Sequence, residues 1–217
     1  MAGPDKIIFL IISFPLFLIA IMAHEYAHGY VAYLEGDDTA KYAGRLTLNP
    51  IDHLDVVGTL CFILTSFMGV GFGWAKPVPI NPLNFRHFRS GIIRVSLAGV
   101  AANFMLIIIS VIALKVVVMV SGGAHFNNRL MLYIAQMLFW FASFNMVLFV
   151  FNLIPIPPLD GSKVLMMLLP REQAEAIARI EPYGMFIIFG LLYFGVLGYV
   201  FNAAHTVLET VLKLLAI

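Results

Sequence analysis

Long apolar runs constrain the fold of this chain more than any other feature. A membrane-spanning helix needs about 20 consecutive apolar residues. The runs that reach or approach this length are Ile7–Ala23 with its continuation to Leu34, Val95–Val120, Leu130–Phe151 and Tyr183–Phe201. Because lipid offers no partner to open backbone groups, such runs fold as helices. The sequence predicts an all-α polytopic membrane protein, a bundle of about four to six membrane helices.

The charge content agrees with a lipid environment. Asp, Glu, Lys and Arg make up 12% of the 217 residues, against about 25% in soluble domains. The formal net charge of +1 gives no electrostatic reason to expect a nucleic-acid partner. We therefore expect a single domain over residues 1–217, embedded in a lipid bilayer.

The segment Val56–Ala75 differs from the other apolar runs because glycine occupies positions 58, 69, 71 and 73. Glycine at this density weakens a straight helix. The next stretch, Lys76–Pro82, has proline at 77, 79 and 82, which favours extended or turned backbone. We predict a short β or re-entrant hairpin after the first helix.

The pattern H-E-x-x-H occurs at His24–His28, inside the first apolar run. Residues four apart share one face of a helix, so both imidazoles can bind one zinc ion. Glu25 lies beside them and is the candidate general base. Because ionisable side chains within a membrane span are costly and usually functional, the motif predicts zinc-dependent hydrolysis within the membrane.

A catalytic zinc ion needs three protein ligands and an open position. Two residues are candidates for the third ligand, Asp160 and the loop residue His53. Asp160 is favoured because it is the only acidic residue between Asp55 and Glu172. His53 is alternatively a group facing the substrate or an ordinary polar loop residue. A different membrane zincin, in which Glu172 or Glu175 is the third ligand, is a further alternative.

Three blocks of this sequence resemble the site-2 protease family of zinc intramembrane metalloproteases in their order and spacing. They are His24–His28, Ala98-Gly99 followed by Asn103, and Asn152-Leu153-Ile154-Pro155 leading to Leu159-Asp160-Gly161. The stretches from Asn49-Pro50 to Thr59 and from Gly73 to Pro79 resemble the compact subgroup, which lacks a PDZ or CBS domain. Val100 stands where the family often has proline, a departure that leaves the ligands untouched.

The resemblance implies one Zn²⁺ per chain, held by His24, His28 and Asp160, with Glu25 as the general base. It also implies that Asn152 binds the substrate backbone or the oxyanion and that Asn103 supports the core. The implied function is hydrolysis of a peptide bond in or near a transmembrane segment of a membrane-protein substrate. The alternative is a non-catalytic zinc-binding protein, either a transporter or an inactive homologue.

A helical substrate must unwind before its carbonyl groups are accessible. We expect an exposed strand edge to hold the unwound chain by β-addition. The candidate edges are Ala43–Leu48 and the Val56–Ala75 hairpin.

The sidedness of the chain follows from the same motifs. The histidines lie towards the far end of the first helix, and Asp160 follows the far end of Leu130–Phe151. These two ends share a side only if Val56–Ala75 does not cross the membrane. The side with the motif has nine basic residues against four: Lys41, Arg45, Lys76, Arg86, Arg89, Arg94, Lys163, Arg171 and Arg179 against Lys6, Lys115, Arg129 and Lys213.

Positive residues are retained on the cytoplasmic side of a membrane. We therefore expect a multi-pass protein of a cell membrane, with the zinc site towards the cytoplasm. No feature of the sequence indicates an oligomeric state.

Overall fold

The computed structural model describes residues 3–67, 71–123, 126, 128–215 and 217, with the backbone alone for residues 3–9. The α-helices within these ranges are α1 (Gly3–Leu34), α2 (Thr39–Tyr42), α3 (Val56–Phe67), α4 (Phe88–Val120), α5 (Arg129–Leu153), α6 (Asp160–Leu168), α7 (Arg171–Ala178), α8 (Gly184–Tyr193) and α9 (Val196–Leu214). Short 3-10 turns occur at Pro50–His53, Pro82–Asn84 and Glu181–Tyr183. The predicted all-α fold class is confirmed.

Four helical segments are long and apolar enough to cross a membrane: Leu10–Leu34, Phe88–Val120, Arg129–Leu153 and Arg171–Tyr193. The first three are single helices, and each exceeds the length that about 30 Å of hydrocarbon requires at a rise of about 1.5 Å per residue. Arg171–Tyr193 consists of α7, the 3-10 turn at Glu181–Tyr183 and α8. The chain is therefore a multi-pass membrane protein, as the sequence predicts.

The predicted run Tyr183–Phe201 is wrong as a single helix. It is divided between α8 and α9, which are separated by Phe194 and Gly195. Gly195 has a φ of 75°, a left-handed conformation that commonly ends helices and that glycine adopts without strain. Apolar composition continues across this break, which is why the sequence pattern does not reveal it.

Helix α4 lies at the centre of the bundle and contacts α1, α5 and α6. Its C-terminal half is apolar, and Ile107, Val111 and Leu114 pack with Ala142 of α5 and Leu208 of α9. Its N-terminal half buries Ser96, Gly99 and Asn103 instead. The polar half of α4 therefore forms one wall of the candidate site, and the apolar half anchors the bundle.

The two described ends of the segment that contains α3 lie next to each other. Helix α3 has 12 residues, which span about 18 Å and cannot cross a bilayer. Leu54 and Ala75 form an antiparallel bridge, and the Lys76 N–H donates to the His53 carbonyl at 2.9 Å. This agrees with the non-crossing hairpin that the predicted sidedness requires, and its course relative to the membrane stays a prediction.

The β part of the predicted hairpin is much smaller than expected. The Leu54–Ala75 bridge is isolated, and no strand forms in the ranges that the structure describes. Residues 43–48 form turns and irregular backbone. The predicted strand edge for substrate is therefore absent from Ala43–Leu48, and extended backbone near Ala75 is what remains of it in the hairpin.

Candidate metal centre

Three side chains from distant parts of the sequence converge on one buried point. His24 and His28 come from α1, and Asp160 is the first residue of α6. The two Nε2 atoms lie 2.9 Å apart, and Asp160 Oδ2 lies 3.2 Å from His24 Nε2 and 3.0 Å from His28 Nε2. Among the residues that the structure describes, this is the one group of three or more His, Cys, Asp or Glu side chains positioned to hold a metal ion.

The tautomer of His24 is fixed by a chain of amide hydrogen bonds. Asn145 donates from Nδ2 to the Phe141 carbonyl at 2.8 Å, so its Oδ1 accepts from Asn103 Nδ2 at 2.9 Å. Asn103 Oδ1 then faces His24 Nδ1 at 2.7 Å and can only accept. His24 therefore carries its proton on Nδ1, and its Nε2 presents a lone pair to the site.

His28 has the same tautomer for a simpler reason. Its Nδ1 lies 2.7 Å from the backbone carbonyl oxygen of Val95, which can only accept a hydrogen bond. Nδ1 is therefore the donor, and Nε2 of His28 also presents a lone pair to the site.

The arrangement fits a metal cation. Two imidazole lone pairs and Asp160 Oδ2, which is buried with no hydrogen-bond partner, face one another at 2.9–3.2 Å. A proton on one Nε2 satisfies only part of this cluster, and buried acceptors without a donor are costly. Tetrahedral zinc with bonds of about 2.0–2.2 Å separates its ligand atoms by about 3.3–3.6 Å, so small outward shifts of these side chains would accommodate the ion.

Gly99 on α4 makes room for both imidazoles. A Cβ atom at this position would lie 2.5 Å from His28 Nε2, 2.6 Å from His24 Cε1 and 2.7 Å from His24 Nδ1. Val95, whose carbonyl accepts from His28, lies one helical turn earlier on the same helix. The missing side chain at position 99 therefore lets α1 approach α4 closely enough for both rings to bond to it.

The two carboxylate oxygens of Asp160 face different surroundings. Oδ2 faces the histidines, and Lys163 Nζ lies 3.2 Å from Oδ1. The preceding residue, Leu159, is buried against Ile188 and Leu197, which fixes the start of α6. Because Lys163 occupies Oδ1, Asp160 presents only Oδ2 to the ligand cluster. Outer partners of metal ligands commonly orient the ligands in this way.

Glu25 is half-buried and accepts a hydrogen bond from the backbone N–H of Val78, at 2.9 Å from its Oε2. The segment after the hairpin therefore contacts the candidate general base directly. Sequence reasoning predicts Glu25 beside the metal but does not predict this contact.

The remaining predicted residues lie outside the ligand cluster. Asn152, on the last turn of α5, donates from Nδ2 to the Leu148 carbonyl at 3.1 Å, and its role towards substrate stays a prediction. His53 is fully buried and donates from Nε2 to the Thr47 carbonyl at 3.0 Å. Glu175 is exposed on α7 and pairs with Arg171. The structure thus places neither His53 nor Glu175 as the third ligand.

Sequence reasoning missed Asn145 and the Val95 carbonyl. A fully buried asparagine inside an apolar helix is a detectable signal, since an unpaired amide in lipid is costly. The Val95 carbonyl leaves no trace in the sequence because any residue could supply it.

Replacing Asn103 with alanine is expected to weaken zinc binding about 10- to 100-fold, because loss of an outer hydrogen bond frees the His24 ring and its tautomer. Competition with a chelator of known affinity measures the effect. Ser110→Ala, on the same helix at a buried serine whose hydroxyl donates to the Leu106 carbonyl one turn earlier, should bind zinc like the wild type. Equal affinity in both variants would show that Asn103 does not orient His24.

Comparisons with known proteins identify the family. The sequence model of the family described as peptidase family M50 matches residues 115–195 of this chain. A Bacillus subtilis protein named as a candidate zinc metalloprotease, YwhC, is 40% identical over 195 residues, which cover 90% of this chain and 82% of that protein. The chain belongs to peptidase family M50. Rip2 of Mycolicibacterium smegmatis, also named as a candidate zinc metalloprotease, is 31% identical over 183 residues, or 81% of this chain and 64% of that protein. No solved structure matches the chain.

Membership of family M50 confirms the resemblance drawn from the three sequence blocks. Zinc, the expected cofactor, agrees with the names of both relatives and with a donor set of two imidazoles and one carboxylate. The M50 model includes Asn152 and Asp160, whereas His24 and His28 precede its range. A single domain over residues 1–217 stays a prediction.

Proposed function

We propose that this M50 peptidase is a zinc metalloendopeptidase that hydrolyses a peptide bond in or near a transmembrane segment of a membrane-protein substrate. The observation that carries the proposal is the convergence of His24, His28 and Asp160 within a bundle of apolar helices. Two imidazoles and a carboxylate, with a glutamate next to the first imidazole, form the donor set of hydrolytic zinc sites.

The proposed mechanism assigns metal binding to three residues and proton transfer to a fourth. His24, His28 and Asp160 would hold the ion, and the bound ion would acidify a water molecule and polarise the scissile carbonyl. Glu25 accepts the proton of that water at a carboxylate oxygen and then passes it to the leaving amine. The Glu25 side chain is oriented for this role by the Val78 N–H.

Asn152 is the proposed oxyanion donor. Its Nδ2 bonds to the Leu148 carbonyl within α5 through one of its two hydrogens, which leaves the second hydrogen to donate to substrate. A donor of this kind stabilises the transition state by about 3 kcal/mol in other proteases.

Hydrolysis inside a membrane also needs a route for water. Lys163 bonds to Asp160, yet 47% of its side chain is exposed. The ligand cluster therefore lies one polar side chain from the outer surface of the bundle. We propose that water enters beside Lys163, from the side that carries most of the basic residues and that we assign to the cytoplasm.

Cleavage of a reconstituted single-span substrate in lipid vesicles tests the proposal. Wild-type protein is expected to cut the substrate and to contain one zinc ion per chain. Asp160→Ala is expected to bind zinc more than about 100-fold more weakly. Loss of an outer hydrogen-bond partner already weakens metal binding by up to about 100-fold, and this variant loses a ligand itself. It is also expected to lose cleavage.

Glu175→Ala is the matched control, since it removes an acid that was an alternative third ligand and that lies on the exposed face of α7. It should keep both zinc and activity. Loss of zinc in Glu175→Ala with retention in Asp160→Ala would reverse the ligand assignment.

A further inference from the structure

Residues 76–84, here called the strap, follow the re-entrant hairpin and lie against the end of α1. The strap is fixed at its first residue, where the Lys76 N–H donates to the His53 carbonyl and Arg45 Nη2 donates to the Lys76 carbonyl at 2.7 Å. In its middle, the Val78 N–H donates to Glu25. The strap therefore connects the candidate general base to the loop structure outside the membrane helices.

Asp37 anchors the other end of the strap. Its Oδ2 accepts from the Asn81 N–H at 2.7 Å, and its Oδ1 accepts from Asn84 Nδ2 at 2.7 Å. Thr39 donates to Oδ1 from both its backbone N–H and its hydroxyl. Asp37 is fully buried, so these donors are what stabilise its charge there.

The charge state of Asp37 suits this anchoring. Burial raises the pKa of the Asp37 carboxyl, but hydrogen bonds from Thr39, Asn81 and Asn84 outweigh burial and hold the pKa below its usual range. Asp37 is therefore ionised at neutral pH and binds its donors as a carboxylate.

The strap between Asp37 and Glu25 is stiff. Prolines at 77, 79 and 82 restrict its backbone torsions. Val78 is buried and packs closely on α1, because a Cβ at Gly29 would lie only 3.0 Å from Val78 Cγ1. A displacement of the strap at Asn81 is therefore transmitted to Val78 rather than absorbed by the intervening residues.

We propose that Asp37 is a positioning residue for Glu25, which it orients through the strap and the Val78 N–H. The inference rests on the proposed function, in which Glu25 is the general base. Asp37 touches neither the ligand cluster nor Glu25, so its effect should appear in the chemical step and not in zinc binding.

Asp37→Asn tests the inference because it is isosteric and replaces one accepting oxygen by an NH₂ group. One of the strap donors then faces a donor. Glu35→Gln is the matched control, since Glu35 is also a buried acid at the end of α1, but its side chain pairs with Arg94 of α4. The measurements are zinc content, steady-state cleavage and hydrogen exchange of residues 76–84 by mass spectrometry.

In Asp37→Asn we expect faster exchange across the strap, unchanged zinc content, and a kcat that falls about 10- to 100-fold. KM should stay within about twofold, because Asp37 contacts neither the ligand cluster nor the proposed substrate donor Asn152. Glu35→Gln should exchange and cleave like the wild type. Unchanged exchange in Asp37→Asn would overturn the anchoring, and faster exchange with unchanged kcat would overturn the positioning of Glu25.

If Asp37→Asn does not fold, Asn84→Ala decides the inference, because it removes one donor from the exposed side of the strap. Asn84→Ala should also show faster exchange across the strap and a lower kcat, both by less than in Asp37→Asn. If its exchange and its kcat equal those of the wild type, the proposal is overturned. Failure of the wild-type protein to cleave any substrate would instead overturn the proposed function. The two failures are therefore distinguishable.

Discussion

Replacing Glu25 with glutamine is expected to abolish cleavage while leaving one zinc ion bound per chain. Glutamine keeps the shape of the side chain, and its carbonyl oxygen can still accept from the Val78 N–H. It cannot accept a proton from water, so the step that generates the nucleophile is lost. General acid–base groups contribute about 10²- to 10⁴-fold to rate. We therefore expect kcat to fall by about 100-fold or more.

Single-turnover cleavage and zinc analysis on the same preparation measure the two effects together. Glu35→Gln is again the control, because it replaces another glutamate with glutamine near the end of the same helix. Cleavage by Glu25→Gln within about tenfold of wild type would contradict the mechanism, since that loss is smaller than a general base provides. Loss of zinc from this variant would show that Glu25 supports the metal instead.

Replacing Gly99 with alanine is expected to remove zinc binding and activity together. The added Cβ would lie 2.5 Å from His28 Nε2 and 2.6 Å from His24 Cε1, so both imidazoles must shift. Neither can shift without breaking its hydrogen bond to Asn103 or to the Val95 carbonyl. We expect zinc affinity to fall more than about 100-fold, the upper range for disturbing outer partners of a metal.

Gly190→Ala is the matched control for Gly99→Ala. Gly190 is also a helical glycine, in α8, and a Cβ there meets nothing within 4 Å among the described residues apart from its own chain neighbours and helix backbone. Alanine favours a helix over glycine by about 1 kcal/mol in both places, so a difference between the variants reports the clash alone. Zinc retained at wild-type affinity in Gly99→Ala would mean that α1 and α4 do not approach as the structure shows.

Much of the candidate site could be predicted because its chemistry is local or rare. The H-E-x-x-H spacing fixes His24 and His28 on one face of α1 from helix geometry alone. Asp160 could be found because acidic residues are scarce in the apolar half of the chain. The same reasoning predicts that residues 56–75 do not cross the membrane, since His24 and Asp160 can meet only if the two helix ends share a side.

The other features of the site depend on contacts between helices. Such contacts cannot be predicted from single residues or from local sequence patterns. Asn145 acts through Asn103, and their bond exists only because α4 and α5 meet at the same depth. Asp37 follows a helix end and is typical of a solvated cap, yet the strap buries it completely. The break at Gly195 falls inside a continuous apolar run. Apolar composition does not show where within such a run one helix ends and the next begins.

The alternative of a non-catalytic zinc-binding protein makes a different prediction for the same residues. A transporter or inactive homologue needs the ligands but has no requirement for a proton acceptor at position 25. A zinc peptidase requires both the ligands and the proton acceptor. The amide chain from Phe141 to His24 fixes the tautomer of a ligand, so both alternatives need it and only Glu25 separates them.

X-ray absorption spectroscopy at the zinc edge of the purified protein tests most directly whether His24, His28 and Asp160 hold one zinc ion. We predict one zinc ion per chain, with two imidazole nitrogens and a carboxylate oxygen at about 2.0–2.2 Å, and loss of one imidazole in His28→Ala. A first shell without imidazole, or a spectrum unchanged in His28→Ala, would contradict this metal centre.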